Sequence, residues 1–198
     1  MDQRLVSWAR AVKHRTRNPL PILWLFTDSE RLPDPLPAIA QLPRGLCGVV
    51  FRHDHVQDRA GLAAQVARLC RARGVGLVIA GDANLAWRMK AGLHLRDGRR
   101  PDFIRPPPAL ITSSVHNPAA YHRARRAGAQ LCFISAAFAT ASHMGEKPLG
   151  PVRWAALSRR IPSANAYALG GITGQKIKSL ARNCRGAGAI YALSTPNS

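Results

Sequence analysis

Tyr167-Ala168-Leu169-Gly170-Gly171-Ile172-Thr173, near the C-terminus, is the stretch on which the reading of the fold turns. A short apolar run ends in two glycines, and Ile177, Leu180, Ala181 and Cys184 then follow Thr173 at helical spacing, with Thr173 a suitable N-cap. The stretch therefore reads as strand, tight turn, helix. Glycines at such a turn let backbone N–H groups approach an anion, and the dipole of the following helix favours negative charge there. In a (β/α)8 barrel the turn after the seventh strand is a frequent phosphate site. Taken alone, Gly170-Gly171 is a tight turn; the upstream pattern makes it a candidate phosphate site.

Upstream, short apolar runs alternate with helical patterns. Residues 3–16 read as an amphipathic helix with Leu5, Trp8, Ala9 and Val12 on one face. Ile22-Leu23-Trp24-Leu25-Phe26 and Gly48-Val49-Val50-Phe51 are continuous apolar runs, as expected of strands buried on both faces. A weak helix around residues 38–42 separates them. Residues 59–73 form a strong helix with Leu62, Val66, Leu69 and Cys70 inward and Gly74 as its C-cap. Further strands are read at 77–80, 93–95, 110–113 and 131–134, then before Gly170, and finally at Ala189-Ile190-Tyr191-Ala192. Helices are read at 84–90, from the Asn117 N-cap and Pro118 to Gly128, and at 153–160. Eight strands with helices between most of them imply a small (β/α)8 TIM barrel in a single domain, residues 1–198, with an extra N-terminal helix and a truncated last helix. The N-terminal helix, or a second copy of the chain in a homodimer, is expected to cover the flank that a missing last helix leaves.

Composition sets limits on function. The chain has 198 residues and is 46% hydrophobic, with no apolar run long enough to span a membrane and no signal-peptide core at its start. Cys47, Cys70, Cys132 and Cys184 form no CxxC pair and read as buried free thiols, from which a cytoplasmic location is expected. Lys and Arg number 29 against 10 Asp and Glu, a formal charge of +19. Nonspecific nucleic-acid binding is one expectation from that balance. The basic residues are dispersed along the chain, however, mostly on the solvated faces of helices, and no recognition motif accompanies them.

The order of motifs resembles the thiamine phosphate synthase/TenI family over nearly the whole chain, from Leu25-Phe26-Thr27-Asp28 to Gly188. Between these lie Phe51-Arg52, Gly92-Leu93-His94-Leu95, Ser114-Val115-His116-Asn117, Phe138-Ala139-Thr140-Ala141-Ser142-His143 and Ala168-Leu169-Gly170-Gly171-Ile172. The resemblance implies a synthase that joins hydroxymethylpyrimidine diphosphate to a thiazole phosphate with Mg²⁺, or a TenI-type relative that binds the thiazole phosphate and isomerises its ring with a histidine. For the thiazole phosphate, Gly170 and Gly171 match the family's glycine pair, and Thr140 and Ser142 match its hydroxyl-bearing loop, while Ser194 falls about one place off a family serine.

For the pyrimidine diphosphate the match is partial. Arg52 is kept, but Asp54 stands where the family has a lysine. Reversing a charge about 4 Å from a phosphate changes the interaction by several kcal/mol. Asp82 is the one candidate Mg²⁺ ligand, Arg99 replaces a second aspartate, and His143 replaces a lysine as substrate ligand. Ser114 is kept, and His116 holds the TenI acid/base position, which suits a side chain that titrates near neutrality. His94 reads as structural, and His53-Asp54-His55 reads either as a metal cluster or as alternate residues of an extended segment that face solvent. Three classes of function follow: a synthase or a thiazole tautomerase using His116, a non-catalytic binder of a phosphorylated ligand, and a basic nucleic-acid module.

Overall fold

The computed structural model describes residues 1–99, 108–140, 147–161, 166–180 and 182–194. Eight parallel strands close into a barrel in sequence order: β1 (Leu23–Phe26), β2 (Cys47–Phe51), β3 (Gly76–Ala80), β4 (Gly92–Leu95), β5 (Ile111–Val115), β6 (Leu131–Ile134), β7 (Ala166–Leu169) and β8 (Gly186–Ala189). Around them lie α1 (Gln3–Thr16), α2 (Leu36–Ala40), α3 (Arg59–Arg73), α4 (Ala83–Arg88), α5 (Pro118–Arg126), α6 (Gly150–Ser158) and α7 (Tyr191–Ser194). Among the described residues no helix is long and apolar enough to cross a membrane, and all four cysteines are free and buried. Burial raises each thiol to about 12.

The apolar runs are continuous because each strand buries both faces. Alternate residues enter the lumen: Trp24 and Phe26 from β1, Val50 from β2, Val78 and Ala80 from β3, Leu131 and Phe133 from β6, and Tyr167 from β7. The others, such as Leu23, Leu25, Val49 and Ile79, face the helices. Phe133 is at the centre of the lumen, its ring centroid 6.0 Å from Trp24, 4.8 Å from Phe26 and 5.8 Å from Tyr167. Glycines make room for these rings. A Cβ at Gly48 would come within 2.6 Å of the Trp24 ring, and one at Gly188 within 2.5 Å of Phe26. At the end where the strands begin, Tyr167 donates its hydroxyl to Pro21 O (2.9 Å), and Trp24 Nε1 donates to the same carbonyl (3.1 Å), so both polar tips are satisfied.

Three sequence expectations are corrected. The last strand is Gly186–Ala189, and Tyr191 and Ala192 belong to α7. The helix expected after Gly171 is a single 3₁₀ turn, Lys176–Ser179, with Thr173 Oγ1 accepting from Lys176 N at 3.2 Å; Ala181 lies outside the described residues. On α3 the fully buried residues are Ala63, Val66, Ala67 and Cys70, while Leu62 and Leu69 are half-buried at the edge of that face.

The N-terminal helix covers the last flank, and Asp2 shows how. Its carboxylate caps α1 at Leu5 N (3.0 Å) and accepts from Gly174 N after β7 (2.7 Å), while its backbone N–H donates to Ala192 O after β8 (2.7 Å). Leu5, Val6, Ala9 and Val12 are thereby buried against the core, and Trp8 packs on it. The apolar flank expected to suit a dimer contact is closed by α1. The exposed large apolar residues among those described are Trp87, Val152 and Tyr191, on three separate helices.

Candidate functional site

The residues read as a phosphate site converge at the end of the barrel where the strands finish. A pocket of about 510 Å³ is lined by Gly170 and Gly171 after β7, Thr140 and Ser135 after β6, Arg52 after β2 and Ile190 after β8. Arg31 and Lys176 also face it, and sequence reasoning did not find them. Lys176 opens the 3₁₀ turn that follows the glycine pair, and Arg31 is held by Asp28, which accepts from Arg31 N at 3.0 Å. Ser142 and His143 lie outside the described residues.

The glycine pair has a packing reason as well. Gly170 and Gly171 have φ of 92° and 62°, the left-handed region that favours glycine. A Cβ at Gly170 would press on Ala136, and one at Gly171 would overlap Ala139 O and come within 2.9 Å of Phe138 Cβ. The loop after β6 therefore rests on the turn after β7, joined by Ala137 N to Leu169 O (2.8 Å) and Phe138 N to Gly170 O (3.0 Å). Charge in the pocket is mainly positive. Arg31, Arg52 and Lys176 face Asp2 there, and Arg52 lies 6.0 Å over the Phe26 ring. Burial pulls the Arg52 guanidinium below the usual arginine value, while Asp28 and Asp54 hold it up.

Asp82 belongs to a different pocket, of about 610 Å³, with Asp54, Arg59, Arg96 and Arg99. Its Oδ1 caps α4 at Leu85 N (2.8 Å), and its Oδ2 accepts from Arg59 Nη1 (3.0 Å). Arg59 also donates to Asp54 (3.1 Å) and to Ala80 O (2.8 Å), and the second Asp54 oxygen pairs with Arg96. Both carboxylates are thus occupied by guanidinium groups. Among the described residues no group of three or more His, Cys, Asp or Glu could hold a metal ion. These residues do not fit a Mg²⁺ site, and Asp82 acts as a helix cap and ion-pair partner. His53-Asp54-His55 is likewise no metal cluster: His55 is exposed, while His53 is fully buried. His53 Nε2 faces two carbonyl oxygens, Leu32 O and Pro33 O (3.1 and 3.2 Å), and so donates, which leaves Nδ1 to accept from the Thr27 hydroxyl (2.9 Å), while Thr27 Oγ1 accepts from Arg52 N (2.9 Å). His53 ties the loop after β1 to the end of β2.

Ser114 and His116, at the end of β5, line neither pocket. Ser114 Oγ lies 3.0 Å from His94 Nε2, inside the barrel. His116 is held between two loops, its Nδ1 3.2 Å from Ser135 O and its Nε2 3.3 Å from Asp97 Oδ1. His94 is structural, as expected from the sequence. It packs edge-on against Phe26 with centroids 5.5 Å apart, and its Nδ1 meets Thr112 Oγ1 at 2.8 Å.

Burial lowers the His94 imidazole to about 3, with Arg52 and Arg96 adding to the effect. An unfolded histidine titrates near pH 6.5. Between that pH and about 3 the unfolded chain carries a proton here that the folded chain lacks, so this contribution to stability falls as pH falls. The stability difference between the wild type and His94→Gln is expected to shrink by about 1.4 kcal/mol per pH unit below pH 6.5. Urea unfolding at a series of pH values reads it, and a pH-independent difference would contradict it.

Comparisons with known protein sequences point to one family. The family described as thiamine monophosphate synthase (TMP-TENI) matches residues 28–193. The "Putative thiamine-phosphate synthase 2" of Aquifex aeolicus (strain VF5) is 28% identical over 183 residues, covering 88% of this chain and 97% of that protein. A thiamine-phosphate synthase of Synechococcus sp. (strain WH7803) is 32% identical over 146 residues, which cover 68% of this chain and 40% of that protein. Among solved structures, a thiamine phosphate pyrophosphorylase from Pyrococcus furiosus superposes with a TM-score of 0.69 at 18% identity, over 89% of this chain and 88% of that one. At that identity the superposition speaks for the fold alone.

Proposed function

This chain belongs to the thiamine monophosphate synthase family, and from that premise we propose that it binds a thiazole phosphate, with the phosphate at the Gly170–Gly171 turn. One observation carries the reading: the glycine turn, the Thr140 hydroxyl and the cations Arg31, Arg52 and Lys176 line a single pocket. Side-chain-free backbone and a flexible ammonium suit a compact phosphate, and the apolar walls from Phe26, Leu169 and Ile190 suit a small heterocycle.

The coupling reaction of the family's synthases uses a diphosphate on Mg²⁺. Asp54 and Asp82 are tied up by Arg59 and Arg96, so no coupling step runs through them. What favours a second reading, thiazole tautomerisation, is the contact of His116 with Ser135, which itself lines the phosphate pocket. A tautomerase assay on His116→Gln separates the two. Lost turnover with binding retained carries the tautomerase, and unchanged turnover removes His116 from any chemistry.

Binding is tested by titration calorimetry with the thiazole phosphate at physiological salt. Saturable binding is expected, unaffected by a chelator and weakened about tenfold in Lys176→Ala, the loss expected when a hydrogen bond to a charged group is removed. No binding at millimolar ligand would overturn the reading.

A further inference from the structure

In this chain of net charge +19 the described carboxylates gather at one end of the barrel, whereas cations stand at both. Helices in this fold run antiparallel to the strands, so their N-termini gather where the strands finish and their C-termini where the strands begin. Asp2, Asp58 and Asp82 cap α1, α3 and α4 at the first of these ends. Asp28, Glu30 and Asp34 follow β1, Asp54 follows β2 and Asp97 follows β4, all at that same end. Asp102 and Glu146 are outside the described residues. No described carboxylate side chain belongs to the opposite end.

That opposite end is built from cations. The last turns of α1, α3, α4 and α5 each carry Lys or Arg, and Arg159 and Arg160 follow α6. Arg10, Lys13, His14, Arg17 and Arg44 line one hollow of about 620 Å³ there, and Arg125, Arg159 and Arg160 line another of about 590 Å³. Cations at helix C-termini complement the macrodipole, which accounts for some of them. It does not account for Arg44 and Lys90, which are exposed in connecting segments, nor for the lack of counter-charge, since crowding like charges costs self-repulsion.

We propose that this end of the barrel binds nucleic acid through its phosphodiester backbone. Arginine predominates, and its planar fork matches phosphate oxygens in a two-point contact. A membrane surface would call for apolar anchors as well. Of the exposed large apolar residues among those described, Val152 and Tyr191 lie in the first turns of α6 and α7, at the other end, which leaves Trp87, 50% exposed in the last turn of α4. A single indole does not anchor a protein to lipid. The dispersion of these residues in the sequence hid the patch, because they come from several helix ends and the segments that connect them.

The test is a fluorescence-anisotropy titration of the full chain with a labelled RNA oligonucleotide over a salt series. The partner variant is Arg17→Glu/Arg44→Glu/Arg125→Glu/Arg160→Glu, all four positions being exposed; the same positions changed to glutamine serve if the glutamates prevent folding. The wild type is expected to lose affinity with salt at a log–log slope steeper than about −3, the value for four single-strand phosphates. The variant is expected to bind at least about tenfold more weakly, with a slope shallower by about 0.7 for each single-strand phosphate that no longer meets a cation. Titration with thiazole phosphate should give the same result for both proteins, because that pocket is at the far end; this keeps the two proposals separable. Equal RNA binding by the variant, a salt-independent affinity, or binding to phosphatidylserine vesicles with none to RNA would each overturn the proposal.

Discussion

Gly186→Ala is expected to destabilise the barrel by about 3 kcal/mol, at the upper end of overpacking costs, although alanine is the better strand former. Gly186 lies in β8, and a Cβ there would overlap both the Tyr167 ring and the carbonyl of Ile22. The ring can tilt only into a lumen already filled by Phe133, 5.8 Å away. The carbonyl cannot move without cost, because Ile22 O accepts from Ala187 N at 2.8 Å and so belongs to the seam between β8 and β1 that closes the barrel. For a chain of this length the loss corresponds to a fall in Tm of roughly 6–12 °C. Tyr167→Leu in the same chain should recover the part due to the ring and leave the part due to the carbonyl, so the double mutant should depart from additivity by about 1 kcal/mol. A melting curve for Gly186→Ala that superposes on the wild type would show that the seam is not packed as described.

Phe133→Ala has the opposite defect and a comparable or larger effect. The ring touches aromatic neighbours from β1, β4 and β7, namely Trp24, Phe26, His94 and Tyr167. Removing it leaves a void that the closed sheet cannot collapse around, so the cost is expected at about 4 kcal/mol, within the range for buried aromatic truncations. Phe133→Leu keeps most of the volume and should cost less than about 1.5 kcal/mol. Chemical denaturation of the two variants reads the difference. Equal costs would mean that the lumen adjusts freely, which the interlocked rings and facing glycines argue against.

These residues also explain what the sequence made legible. β1, β2 and β6 stand out because their runs are rich in branched and aromatic side chains buried on both faces. β8 does not, because Gly186-Ala187-Gly188-Ala189 has no strand propensity of its own. Its composition answers to the rings of Tyr167 and Phe26 on the flanking strands β7 and β1, which no local window contains. The segment after Gly171 kept its helical spacing in sequence but only one 3₁₀ turn in structure, since Asp2 and Arg4 from the other end of the chain crowd Gly174. In the site, Gly170, Gly171, Thr140 and Arg52 were found through their order along the chain. Lys176 and Arg31 were not, because their place depends on how two loops turn. The partner of Asp82 was not legible for a related reason: the tie from Arg59 exists only because the ends of β2 and β3 are neighbours. The basic face was the largest omission, and it follows from topology, which gathers five helix ends that lie far apart in sequence.

The measurement that bears most directly on the central claim compares the thiazole phosphate with its dephosphorylated alcohol, both titrated calorimetrically into the unmodified protein at physiological salt. A pocket that recognises phosphate through the glycine turn, Thr140, Arg31, Arg52 and Lys176 should bind the phosphate ester at least about 100-fold more tightly, the worth of one or two charge-assisted hydrogen bonds. Equal affinities, or no binding of either ligand, would contradict it.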